Sequence, residues 1–176
     1  FRAEGKMKNI SVKARAKVNL GLAILGLRKD GYHEIATVMQ ELDLCDDVLI
    51  KETAGGIKVS CSDARVPQDK GNFACRAAEL LCARAGIKNR GASVKIIKRI
   101  PVGAGLGGGS SDAAAVLRGL NALWELGLPQ EELEKTAAQV GSDVPFFIRG
   151  GAAIVSGRGE EIREIKNIVS GLKREG

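Results

Sequence analysis

Residues Pro101–Leu126 read PVGAGLGGGSSDAAAVLRGLNALWEL. Five glycines fall within the nine residues Pro101–Gly109, and an alanine- and leucine-rich helical pattern follows at once. A linker needs no helix behind it, and a hydrophobic core has no use for a run of glycines. A loop that must come close to a ligand uses both. Glycine lets the backbone approach closely and adopt positive φ. A helix start presents unpaired N–H groups and the positive end of the macrodipole. Together they make a seat for a phosphate. Ser110 and Ser111 stand at the helix mouth, where one can cap the helix and the other can offer its hydroxyl to a phosphate or its metal.

The spacing discriminates among phosphate loops. Gly103 and Gly108 fit the glycines of G-x-x-x-x-G-K-[ST], but Gly109 stands where the lysine belongs, so a P-loop is excluded. Gly103, Gly105 and Gly108 match G-x-G-x-x-G. A dinucleotide fold wants that pattern hard against a buried parallel strand. Here Arg99-Ile-Pro-Val intervenes, and the preceding strand alternates polar with apolar residues. A glycine-rich turn that binds nothing is the bland alternative.

Outward from this loop, Ile10–Ala14 alternates like a half-buried strand, and Val18–Leu27 reads as a second, more continuous one. Arg28–Gly31 reads as a turn, and Glu34–Leu44 and Val48–Lys51 as further strands. Gly55-Gly56 suggests a hairpin leading into a strand over Ile57–Cys61. Apolar residues recur at helical spacing from Asn72 to Ala85, with Gly86 as a stop. Ala92–Lys98 is a strand, and the helix after the glycine loop runs from about Ser110 to Leu126. Pro129 opens a helix to about Val140, Asp143–Phe147 reads as a loop or turn, and Gly150–Ser156 holds a last short strand. Strands, helix, strand, two helices and a strand point to an α+β domain over a doubly wound parallel sheet.

The 176 residues suffice for one hydrophobic core. The formal charge of +6 favours anionic partners, but the basic residues are scattered and aromatics make up 3% of the chain, which disfavours a single-stranded nucleic-acid platform. No apolar run approaches a membrane span. The opening FRAEGKMKNI lacks the apolar core of a signal peptide, so residues 1–6 are expected to be a non-native or disordered extension before Met7. Cys45, Cys61, Cys75 and Cys82 form no C-x-x-C pair and accompany a single histidine, so a zinc site is disfavoured and buried reduced thiols in a cytoplasmic protein are expected.

Pro101–Ala115 resembles the central motif of the GHMP kinase superfamily, P-x-G-x-G-L-G-x-S-S-[AD]-A, with one extra glycine. Three further motifs, Ala16-Lys-Val-Asn-Leu, Asp30-Gly-Tyr-His and Gly141-Ser-Asp-Val-Pro-Phe-Phe, flank it in the order found in one branch of that superfamily. The branch phosphorylates a cytidine diphosphate-linked alcohol in non-mevalonate isoprenoid precursor biosynthesis. The resemblance spans about Ile10 to Glu160. It implies a GHMP kinase N-terminal domain of the ribosomal protein S5 domain 2-like fold over residues 7–156. Residues 157–176 would then be the truncated start of a C-terminal domain or a tail lacking the next apolar strand, because family members are substantially longer.

The resemblance also implies roles. Asp143 would be the catalytic base, with Lys17 as its partner. ATP would be held by Pro101, Gly103, Gly105, Leu106, Gly107, Gly108, Gly109, Ser110 and Ser111, with Asn72 and Lys98 lining the nucleotide pocket. Ser111 would be the contact for Mg²⁺. Asn19, Tyr32 and His33 would meet the substrate, Tyr32 by stacking on the cytosine and His33 by hydrogen bonds. Read without the resemblance, Asp143 serves equally well as a cap or turn before Pro145, Lys17 as a solvated strand lysine, and Tyr32-His33 as a hairpin tip. Lys17 is nonetheless unusual for a surface residue, because Ala14, Ala16, Val18 and Leu20 crowd it. The expected protein is thus an ATP- and Mg²⁺-dependent small-molecule kinase, monomeric or homodimeric, with neither nucleic acid nor membrane as partner. A catalytically incompetent nucleotide-binding lobe and a basic RNA-binding domain of the same fold are the alternatives.

Overall fold

The structure, a computed structural model, describes residues 8–27, 33–157 and 161–165. Its elements run β1 (Asn9–Leu27), β2 (His33–Thr53), β3 (Gly56–Cys61), α1 (Phe73–Arg84), β4 (Gly91–Ile97), α2 (Gly108–Leu123), α3 (Gln130–Val140), α4 (Val144–Arg149), β5 (Ala152–Gly157) and β6 (Glu161–Ile165). The α+β class expected from the sequence is present.

The long strand β2 is the spine of one sheet. β1 runs antiparallel to it from Asn9↔Lys51 to Leu27↔His33. β4 pairs antiparallel with the Asp47–Thr53 end of β2, and β5 with the Ile35–Gln40 end. β3 joins β4 in parallel, and β6 extends the sheet beyond β5. On β2, Asp46, Val48 and Ile50 are buried while Leu49 and Lys51 are exposed, the period of two expected where helices cover one face. Helix α2 lies at the centre of that cover. Its DAAAVL segment, Asp112–Leu117, is buried without interruption, because the helix packs against β1 and β2 beneath it and against α1, α3 and α4 around it. Alanine suits such a site: it has the best helix propensity and lets neighbouring backbones approach.

Several expectations are corrected here. The separate strands Ile10–Ala14 and Val18–Leu27 are one strand interrupted by register shifts, and Glu34–Leu44 and Val48–Lys51 are likewise one. Gly55-Gly56 does not make a hairpin: β4 lies between β2 and β3, so the glycines redirect the chain into a strand that pairs elsewhere. Asp143–Phe147 is not a loop, since Val144–Arg149 forms a short helix with Pro145 in its first turn, where proline is tolerated. Glu161–Ile165, read as a charged tail without a strand, pairs with β5 as β6. Its three charged residues suit an edge strand, with Ile162 packed partly against the core.

The close approach of β3 to β4 gives the fold its sharpest constraint. A Cβ on Gly91 would stand 2.3 Å from both the carbonyl carbon of Gly55 and the carbonyl oxygen of Gly56. Backbone cannot swing aside as a side chain can. Gly91→Ala should therefore lower stability by about 2 kcal/mol, read as a lower urea midpoint at unchanged m-value.

Candidate active site

The glycine loop leaves β4 and ends at Gly107, which has φ 70° and ψ 18° and occupies the N-cap position of α2. A Cβ there would lie 2.7 Å from the Phe147 ring and 3.1 Å from Cγ of Lys17, so both the conformation and the space demand glycine. Helix α2 starts at Gly108, two residues earlier than the sequence suggested. Ser110 and Ser111 are therefore inside its first turn, and no side chain caps the helix. The first-turn amides Gly108, Gly109 and Ser110 keep their donor capacity, as an anion seat requires.

Beside this helix start is a cavity of about 350 Å³. Pro101, Gly103, Gly105, Leu106, Gly107, Gly108, Gly109 and Ser110 line it, as do Asn72 and Lys98, so ten of the eleven residues expected to hold nucleotide line one cavity. Ser111 is the exception: it is 1% exposed and off the cavity wall. Among the described residues no cluster of three His, Cys, Asp or Glu could hold a metal. Mg²⁺ that arrives on nucleotide phosphates needs no such cluster, since the phosphates and one or two protein oxygens usually hold it.

Sequence reasoning missed the apolar side of the cavity, made by Val66, Pro67, Phe73 and Val102. Two of these, Val66 and Pro67, come from the segment between β3 and α1, whose proline and lack of periodicity signalled only a loop, and Phe73 is the first residue of α1. Asn72 turns out to be a structural cap as well as a wall residue. Its Oδ1 accepts from the Ala74 amide at 2.8 Å and its Nδ2 donates to the Pro67 carbonyl at 2.7 Å, which fixes that loop against α1.

On the other side of Gly107 lies the lysine–aspartate pair. In a regular strand Ala14 and Ala16 would face the core and Lys17 would face water. The register slips at this point: a step of two residues from Arg15 to Lys17 on β1 is matched by the step from Cys45 to Glu41 on β2. The irregularity breaks the alternation, so Ala16 and Lys17 are both buried. The Lys17 amide donates to the Leu106 carbonyl at 3.0 Å, tying β1 to the glycine loop. Its Nζ donates to Asn19 Oδ1 at 2.9 Å and lies 3.4 Å from Asp143 Oδ2. Asp143 sits at the start of α4, yet its carboxylate makes no capping bond, and its side chain is about one-third exposed. That geometry disfavours the cap reading of Asp143 and the solvated reading of Lys17. Asn19 joins the same cluster. Tyr32 lies outside the described residues, and of His33 the backbone alone is described, paired with Leu27.

A second buried lysine stands at the loop's entry. Lys98 Nζ lies 2.5 Å from Asp46 Oδ2 and 2.9 Å from Asp112 Oδ2. Asp46 Oδ1 also accepts the amides of Arg99 at 2.5 Å and Ile100 at 2.9 Å. Burial alone would lower the Lys98 ammonium, but the two carboxylates outweigh it and hold it above its ordinary value. Burial pushes the Asp112 carboxyl up to about 7, against the pull of Lys98 and with the help of Asp46. Neither aspartate was singled out from the sequence. For Asp46 a signal was legible, since it continues the buried alternation of Val48 and Ile50. The four cysteines are free thiols, with Cys75 buried and the others half-buried.

Comparison with known proteins places this geometry. Residues 72–151 match the family model for the GHMP kinases N terminal domain. The chain is 49% identical over 159 residues to the 4-diphosphocytidyl-2-C-methyl-D-erythritol kinase of Acetivibrio thermocellus, covering 90% of this chain and 56% of that one. It is 53% identical over 156 residues to the kinase of the same name from Bacillus mycoides, covering 88% and 54%. Among solved structures, a 4-(cytidine 5'-diphospho)-2C-methyl-D-erythritol kinase superposes with a TM-score of 0.76 at 40% identity, over 89% of this chain and 55% of that one. Homoserine kinase from Cytophaga hutchinsonii, at 19% identity and a TM-score of 0.67 over 94% and 53%, shares the fold. The chain spans about half the length of the curated relatives it matches. No helix among the described residues is long and apolar enough to cross a membrane.

The raised Asp112 carboxyl makes a stability prediction. An acid whose folded value lies above its unfolded one binds its proton more tightly when folded. Its contribution is complete below the ordinary value of 3.8 and is lost as pH rises to about 7. Asp112→Asn has no proton to lose, so its urea midpoint relative to the unaltered protein should rise across that window and level off above it.

Proposed function

We propose that this chain, which carries a GHMP kinase N-terminal domain, takes part in the ATP-dependent phosphorylation of the 2-hydroxyl of 4-diphosphocytidyl-2-C-methyl-D-erythritol, the alcohol for which its relatives are named. The observation that carries this reading is Asp143. It is an uncapped, partly exposed carboxylate held 3.4 Å from a buried lysine, on the far side of a glycine turn from a cavity that suits a nucleotide.

The apolar wall of Val66, Pro67, Phe73 and Val102 suits a nucleobase, and the amides at the start of α2 suit the phosphate chain. Mg²⁺ enters this scheme as part of the Mg-ATP substrate. The alcohol approaches from the Lys17–Asp143 side. Asp143 accepts its proton as the oxygen attacks the γ-phosphorus, the bond to the bridging oxygen of the β-phosphate breaks, and ADP leaves. Lys17 holds the carboxylate in place and offers positive charge to the moving phosphoryl group, with Asn19 orienting the ammonium. Asn19, Tyr32 and His33 are the proposed contacts to the cytidine-bearing substrate. The second reading is a lobe that binds ATP at the cavity without turning it over.

Release of ADP from Mg-ATP, with and without 4-diphosphocytidyl-2-C-methyl-D-erythritol, separates the two. Substrate-dependent release supports the kinase, and ATP binding without release supports the lobe. Asp143→Asn should cut release by about 10²–10⁴-fold while ATP affinity persists, as expected for loss of a general base. Gly107→Ala should abolish ATP binding itself, because its Cβ would push Phe147 and Lys17 away from the loop. Full ATP affinity in that variant would contradict the placement of the phosphates.

A further inference from the structure

Lys98 forms part of the cavity wall, yet its ammonium is already committed. Its side chain is 6% exposed and lies within 2.9 Å of two carboxylates that are themselves almost wholly buried. Turning the ammonium toward a phosphate would leave Asp46 and Asp112 buried together without a counter-charge, a heavy electrostatic cost. The three residues come from three places: Asp46 from β2, Lys98 from the residue just after β4, and Asp112 from the first turns of α2. The loop they bracket carries Gly103, Gly105 and Gly107, with Gly108 and Gly109 opening α2 directly behind it, so it has much conformational freedom to lose when a ligand orders it.

The contacts act on both ends of that loop. At its entry Asp46 takes the Arg99 and Ile100 amides together with the Lys98 ammonium. At its exit the same ammonium holds Asp112, and a Cβ on Gly108 would stand 3.0 Å from Lys98 Nζ. One buried cation thus fixes the distance between the last residues of β4 and the first residues of α2.

We propose that Asp46, Lys98 and Asp112 form a clasp that holds the glycine loop open for nucleotide, with Lys98 a positioning residue and not a phosphate ligand. The inference rests on reading the cavity as a nucleotide site. The essential element is an acceptor on residue 112 for the Lys98 ammonium, which an asparagine carbonyl supplies and an alanine does not.

Two readouts on the full chain test this: amide hydrogen exchange of the loop without ligand, and calorimetric affinity for Mg-ATP. Asp112→Ala should speed exchange over residues 102–109 and weaken Mg-ATP by about tenfold each, with α1 and α3 exchanging as before. Asp112→Asn should restore both to within about threefold, a rescue that a general loss of packing would not show. If circular dichroism shows that alanine at this position unfolds the chain, Lys98→Met with Asp112→Leu takes its place, with the same losses expected. Mg-ATP binding by the unaltered protein that persists at full strength in a folded Asp112→Ala, with loop exchange unchanged, would overturn the clasp alone. Equal impairment of the alanine and asparagine variants would also overturn it. Absence of Mg-ATP binding in the unaltered protein would overturn the nucleotide reading, and the clasp as a nucleotide device with it.

Discussion

The bond from the Lys17 amide to the Leu106 carbonyl joins the two parts of the site. It ties an edge strand to the last turn of the glycine loop. It can form because the strand's register slips between Arg15 and Lys17. The same slip buries the Lys17 side chain and aims it at Asp143. Gly107 must then pass between Lys17 and Phe147, with no room for a Cβ. The helix start, the lysine–aspartate pair and the cavity are therefore placed by one local irregularity, and a regular strand would have sent Lys17 into water.

The two buried lysines divide the electrostatic work. Lys98 has two buried carboxylates and lies at the loop's entry, where it is shielded and structural. Lys17 has one partner that remains partly exposed, with a neutral amide as its other contact. A charge that must act on a reacting phosphoryl group cannot also be neutralised twice over by fixed neighbours. The arrangement assigns the structural task to the first lysine and leaves the second available.

Much of this was legible from residue pattern. The glycine run, its failure to be a P-loop and the helix behind it pointed to a phosphate seat, and ten of the expected nucleotide residues line one cavity. Crowding by Ala14 and Ala16 marked Lys17 as unusual. What the pattern hid has physical causes. A register slip has no sequence period of its own, so β1 read as two strands. Topology is non-local, so Gly55-Gly56 looked like a hairpin although β4 inserts between the strands. A helix as short as α4 carries too few turns to show periodicity. Asp46 and Asp112 are far apart in the chain and meet only in the fold, beside Lys98, so their joint role had no local pattern, although burial of Asp46 followed from the alternation of Val48 and Ile50.

The central claim is that the amides at the start of α2 receive the phosphate chain, and it is tested most directly by following backbone amide resonances during titration with Mg-ATP. The account predicts saturable shifts largest at Gly107, Gly108, Gly109 and Ser110, with a smaller one at Lys17 through its bond to Leu106. Shifts absent from these residues, or concentrated at a distance such as the recess lined by Arg149 and Glu164, would contradict it.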